Sequence, residues 1–221
     1  MRSSSRSIDA PRIALALAAA CVVSGAGAAP PVPRKLPPVE QCGGDPAFAA
    51  FRQKLTTAVL TRDRAGLLRL IAADATADFG GGQGPAAVGK IIDDAGDEYW
   101  MELQQVIRLG CARSGAARVI PSLVVQSDPW AQTPDADYLM MVVLPGSRLR
   151  KTPEHDGPAI ATLAWDVVKI IPGNDFQTEV VLRDGRKGWL MDSELAGPMG
   201  QRFYMEKRGG KWMVTAMVAG D

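Results

Sequence analysis

Histidine is nearly missing from this chain: His155 is the only one in 221 residues. A Ser/His/Asp triad needs a histidine held by partners, and a zinc site ordinarily needs several nitrogen or sulfur ligands. His155 lies in "TPEHDGP", which reads as an exposed loop where a lone imidazole is solvated. An excess of one charge is missing too. The formal net charge is +1, which gives no electrostatic case for nucleic acid or an anionic membrane. No membrane span is expected, because the N-terminal apolar run, Ile13 to Val23, is short and Ala-rich. The glycine-rich "FGGGQGP" at 79–85 lacks the Lys-Ser/Thr ending of a phosphate-binding loop and reads as a flexible connection. These absences point to no cofactor, no metal and no catalysis.

What stands at the N-terminus reads as a targeting segment. Arg2, Arg6 and Arg12 make a basic region, with Asp9 as an intruder. The apolar run follows, then Ala26-Gly27-Ala28 offers a small-x-small cleavage site. Residues 1–28 are therefore expected to be a signal peptide and the protein exported, to a periplasm. The alternative is lipid anchoring at Cys21, which follows "LAAA", although Ala18 stands where such sites usually carry Leu. Cleavage after Ala28 leaves 193 residues, enough for one medium domain or two small ones, and takes the charge to −1. Two cysteines remain, Cys42 and Cys111. An even count in an exported chain predicts a disulfide, with two free thiols as the alternative. The bond would close a loop of about 70 residues, worth roughly 4 kcal/mol by loop entropy.

Residues 29–44 hold "APPVPRKLPPV" and read as a Pro-rich linker of polyproline type. Asp45 is a good N-cap and Pro46 a good first helical residue. Phe48, Phe51, Leu55 and Val59 then recur at helical spacing. Asp63 can cap a second short helix carrying Leu67, Leu68 and Ile71. Ala86 to Ile92 and, more firmly, Asp97 to Leu109 read as helices; the second carries Trp100, Leu103 and Ile107 on one face and stops at Gly110. "ARVIPSLVVQ" is β-rich, with Pro121 confining it to an edge or a break. Residues 45–137 thus form a helical α+β region. From Tyr138 onward short β runs alternate with turn residues, the pattern of a small barrel. The last segment, "RFYMEKRGGKWMVTAMVAGD", is a hairpin turning at Gly209-Gly210.

The barrel stretch, 138–198, resembles a bacterial SH3 domain. Its entry is Arg148-Leu149-Arg150-Lys151-Thr152-Pro153, its middle Ile160 to Ile171, and its close Asp184, Gly185, Gly188, Trp189 and Leu195. It departs from the family at Arg148, where the family has Asn, and at Asp166, where a Gly is usual and Trp165 precedes. The layout also resembles exported bacterial proteins of unassigned function that end in a similar hairpin. Here that hairpin, 200–221, is expected to return and complete the N-terminal region, leaving the SH3-like unit as an insertion. The resemblance implies peptide binding on an aromatic surface, with Arg150, Glu154, Trp165 and Phe176 as candidate ligand residues and a cell-wall or envelope peptide as partner. Trp189 is expected to pack into the barrel core, since few other large residues are available for it.

Other candidates have simpler explanations. "DDAGDE", Asp93 to Glu98, gathers four carboxylates but lacks EF-hand spacing, and acidic residues suit the start of the following helix. Asp78, Tyr99 and Asp135 or Asp137 are acid/base groups that nothing in the sequence brings together. The expectation is an α+β, non-enzymatic binding protein. A small-molecule or catalytic pocket and a purely structural envelope subunit are the competing readings. Oligomeric state is not legible.

Overall fold

The computed structural model describes residues 35–126, 140–171 and 177–220. Its elements run α1 (Pro46–Leu60), α2 (Arg64–Leu68), β1 (Ile71–Thr76), α3 (Gly84–Val106), β2 (Ala112–Ser114) and β3 (Ala117–Ile120). Then come β4 (Met140–Val143), β5 (Ser147–Arg150), β6 (Ala159–Leu163), β7 (Val167–Ile171), β8 (Gln177–Val181), β9 (Lys187–Met191) and β10 (Leu195–Ala196). The chain closes with β11 (Arg202–Arg208) and β12 (Lys211–Val218). The result is a mixed α+β fold with few helices and two mostly antiparallel sheets.

Local signals explain the helices. The Asp45 carboxylate accepts from the N–H groups of Ala47 (2.9 Å) and Phe48 (3.1 Å), starting α1 where the cap predicts. Phe48, Phe51, Leu55 and Val59 are buried together. Asp63 caps α2 through Gly66 N–H at 2.8 Å. The two helices expected on either side of Gly96 are both present within α3 and meet at a kink, where Gly96 takes φ 57 and ψ −130, outside the helical range. The Ser122–Val125 stretch is a 3₁₀ turn and not a strand. Pro121 has no N–H to continue the ladder, so β3 stops at Ile120.

The first sheet has the order β1-β12-β11-β3-β2. The C-terminal hairpin thus lies at its centre. Phe203 pairs with Ile120, and β12 runs parallel to β1 with Val214 opposite Ile71. Gly209 and Gly210, at φ 57 and 80, make the two-residue turn between Arg208 and Lys211. Phe203, Met205, Val214 and Met217 point from this hairpin into one core with α1 and α3.

The second sheet has the order β10-β4-β7-β8-β9-β5-β6. Among the described residues no pairing joins β6 to β10, so the expected barrel is not closed by hydrogen bonds. Its inner face is one cluster that includes Leu163 of β6 and Leu195 of β10, from opposite ends of the order. The turn at Asp184-Gly185 is a three-residue loop, not a two-residue one. Leu182 N–H donates to Arg186 O at 2.8 Å, and Gly185 takes φ 86.

Gly188 lets β5 and β9 approach. A Cβ there would lie 2.7 Å from both the Arg150 carbonyl oxygen and Leu149 Cγ. Gly188→Val is expected to cost about 3 kcal/mol, the upper end for overpacking, because one obstructing atom is backbone. Urea melts check this: the midpoint falls with the slope unchanged.

The described part of the Pro-rich stretch is docked rather than a free spacer. Leu36 is buried, and its N–H donates to Trp165 O at 2.8 Å. Further on, Cys111 N–H donates to Val39 O at 3.1 Å, and Gln41 N–H to Cys111 O at 2.7 Å. Leu36 joins Leu109, Leu123, Val142, Val167 and Ala196 in a cluster between the helices and the second sheet. The expected Cys42–Cys111 disulfide is present, which is compatible with an oxidising, exported location. No helix among the described residues is long and apolar enough to cross a membrane.

Candidate functional site

The candidate ligand residues fall into different surroundings. Arg150 is buried and fully engaged. Its Nη1 donates to Glu194 at 2.9 Å and to Arg148 O at 2.8 Å, and its Nε donates to His155 O at 3.0 Å. Glu194 also accepts from the N–H groups of Met191 (2.8 Å) and Arg148 (3.2 Å). The pair locks β5 to the β9–β10 turn, and the guanidinium is not free for a ligand. Pro153, Glu154 and His155 are exposed in the adjoining loop. The Thr152 hydroxyl beside Glu154 holds its carboxyl below the usual range. Phe176 lies outside the described residues.

Trp189 is not in the core. The alternation of β9 turns Gly188 and Leu190 inward, so Leu190 fills the core place and Trp189 faces outward, half-buried. The strand period decided this over ring size.

Three of the four carboxylates of the acidic stretch are in ion pairs. Arg64 binds Asp93 bidentately at 2.7 and 2.8 Å, Lys90 pairs with Asp94, and Arg62 reaches Asp97 at 2.6 Å. The one group of metal-ligating residue types among the described residues is Glu40, Cys42 and Cys111. Both sulfurs are in the disulfide, so no thiolate is on offer. Asp78 accepts from Gly82 N–H in its own turn at 3.0 Å, while Asp135 and Asp137 lie outside the described residues.

The structure assembles a different site along α3. One stripe of the helix, Tyr99, Trp100, Leu103 and Val106, is buried in the first core. The adjacent stripe, Glu98, Met101, Glu102 and Gln105, faces two adjoining clefts toward the second sheet. Their volumes are about 400 and 540 Å³, and they share Met101, Gln105 and Leu109. Met101 is 55% exposed at the junction of the two clefts. Beyond Leu109, the second cleft is lined by Arg108, Leu144, Pro145 and Trp165.

Trp165 lines the second cleft beside α3, a cleft whose lining does not include Arg150. Its backbone is left-handed, φ 61, which costs a bulky residue about 1–3 kcal/mol. Two hydrogen bonds hold it there: Trp165 N–H donates to Val143 O at 2.7 Å, and its carbonyl accepts from Leu36. The ring half-buries against the Leu36 cluster and leaves an edge in the cleft.

The other end of the groove is acidic. Glu98, Glu102 and Asp192 line it, with no cation among the lining residues. The cleft walls push the Glu102 carboxyl above its ordinary 4.5, although the Gln201 N–H donates to it. Glu102 nevertheless stays accessible to solvent along its length. The two facts are compatible for a carboxylate in a concavity, crowded by protein yet open at the mouth. Burial and the Glu102 charge together push the Tyr99 hydroxyl upward. Gln201 is 3% exposed, and its Nε2 has no hydrogen-bond partner among the described residues. The sequence carried one trace of this site, the i, i+3, i+4, i+7 stripe from Glu98 to Gln105. It passed unnoticed beside the stronger Trp100/Leu103/Ile107 face.

No family model matches the chain, and no curated protein does. Among solved structures, it is similar to a calcium/calmodulin dependent protein kinase II association domain from Xanthomonas campestris. The identity is 12%, the match covers 85% of this chain and 97% of that one, and the TM-score is 0.29.

Proposed function

We propose that this is an exported, periplasmic, non-catalytic binding protein whose second sheet is an SH3-like barrel, and that its ligand is a cell-wall or envelope peptide lying in the α3 groove. The observation that carries the reading is Trp165, a bulky residue held in a left-handed conformation that presents its ring edge to an apolar groove. Such strain persists where the position serves a purpose other than stability. The barrel reading is supported by the Leu163–Leu195 cluster spanning both ends of the sheet order. An extended peptide suits a groove of this kind, because a stiff ligand loses little entropy on binding.

The test is retention on purified peptidoglycan, together with binding of the peptide fragments released from it. Wild-type protein is expected to bind, and Trp165→Ala to weaken binding about tenfold or more, as for an aromatic anchor. Absence of both retention and fragment binding overturns the reading.

A second reading has one observation of its own. Glu102, raised above 4.5 beside Tyr99 and the unpartnered Gln201 amide, is the kind of carboxylate that serves as an acid or base on a small molecule. Turnover of a bound fragment that is lost in Glu102→Gln would favour it.

A further inference from the structure

Resting on the reading of the α3 groove as a peptide site, the geometry points to a specific ligand class: a short peptide with both ends free, its ammonium at Glu102 and its carboxylate at Arg108. The groove is polarised. Among the described residues, three carboxylates without a cation line one end, and Arg108 is the only charged residue lining the other. Arg108 is exposed, and its guanidinium has no ion-pair partner among the described residues. A neutral apolar ligand would leave both ends unused, and a ligand of one charge would be repelled by one of them. A zwitterion satisfies both.

Length follows from the spacing. Glu102 lies in α3 and Arg108 two residues past its last residue, Val106, an axial offset of about 9 Å at a helical rise of about 1.5 Å per residue. An extended chain advances about 3.3 Å per residue, so about three residues fit between the charged ends.

Gln201 supplies the remaining polar contact. Its buried Nε2 is a donor without an acceptor, and leaving it so carries a desolvation penalty. It lines the acidic end, where its own backbone N–H already donates to Glu102. The first peptide carbonyl of a ligand whose ammonium meets Glu102 would accept from that amide once the buried side chain turns toward the cleft. Gln105 does not compete, because its Nε2 donates to Leu195 O at 3.3 Å. Met101, Leu109 and Trp165 line the apolar middle and take small side chains of the ligand.

Isothermal titration of the mature, oxidised protein with tri-alanine, N-acetyl-tri-alanine and tri-alanine amide tests this. Blocking either end is expected to weaken binding about tenfold, the value of a charge-assisted hydrogen bond. Glu102→Gln should abolish the penalty of acetylation and keep that of amidation, and Arg108→Gln should do the reverse. A merely structural role for either residue would shift all three peptides equally. Equal affinity for free and blocked peptides overturns the inference while leaving Trp165-dependent binding of longer envelope peptides, and so the groove, intact. If no peptide of any kind binds in a Trp165-dependent way, the groove reading falls with it.

Discussion

Replacing both halves of the disulfide, Cys42→Ala with Cys111→Ala, is expected to lower the unfolding free energy by about 4 kcal/mol and the midpoint temperature by roughly 8–16 °C. The bond joins residues 69 positions apart, so it removes much of the loop entropy of the unfolded chain. It acts beside other ties on the same segment, among them Val39 N–H to Ser122 Oγ at 2.9 Å and Arg113 Nε to Gln41 O at 3.0 Å. The described segment before α1 has no strand of its own, and its ties to Cys111 besides the bond are the backbone hydrogen bonds at Val39 and Gln41. Both cysteines are buried, at 4% and 0% exposure, so reductant should act slowly on the native protein and fast once it unfolds. Thermal melts of the oxidised wild type and the double variant measure the difference. A shift under about 3 °C, or roughly 1 kcal/mol, would mean that the backbone ties alone fix the arm.

The same segment shows why part of the fold was legible in sequence and part was not. Capping and periodicity act within a few residues, so Asp45, Asp63 and the Phe48–Val59 face announced their helices correctly. The Gly209-Gly210 turn did the same for the last hairpin. Strand partners are chosen over long separations, and no local pattern says that Glu40 will lie beside Cys111 or that Leu36 will bury under Trp165. Composition marked 29–44 as linker because its prolines exclude helix, but buried Leu36, the Cys42 disulfide and backbone hydrogen bonds at Leu36, Val39 and Gln41 dock its described part.

The candidate site was harder still. Arg150 was a candidate ligand residue only through the resemblance to bacterial SH3 domains. Its burial depends on Glu194, 44 positions later. Trp189 looked like core because of its size, yet β alternation gave the inward place to Leu190. Trp165 was also a candidate, and the residues that share its cleft come from α3, about 60 residues upstream. Only the packing of the second sheet against that helix turns Met101, Glu102 and Gln105 from an unremarkable amphipathic stripe into the wall of a groove.

Ending the chain at Gly197 is expected to unfold the first region altogether, although every residue from α1 to β3 remains. The truncation removes β11 and β12, the second and third strands of the first sheet's five. Strand β1 then has no partner, since its pairing is with β12 alone, and β2–β3 is left as an isolated pair, which is marginal in water. The core loses Phe203, Met205, Trp212, Val214 and Met217, all at or below 8% exposure. At about 1.5–3 kcal/mol for each large side chain buried, this loss matches the whole net stability of a domain, about 5–15 kcal/mol. The second sheet is treated differently by the same cut. Its cluster around Leu149, Val168, Leu182 and Leu190 contains nothing after Leu195, so a protease-resistant fragment from about Met140 to Ala196 should survive. Far-UV circular dichroism should show the helical signal lost, with limited proteolysis digesting α1 to α3 first. If the helices of the truncated chain stay folded and protected, the hairpin is not the spine of that region, and the α3 groove would owe its shape to the second sheet alone.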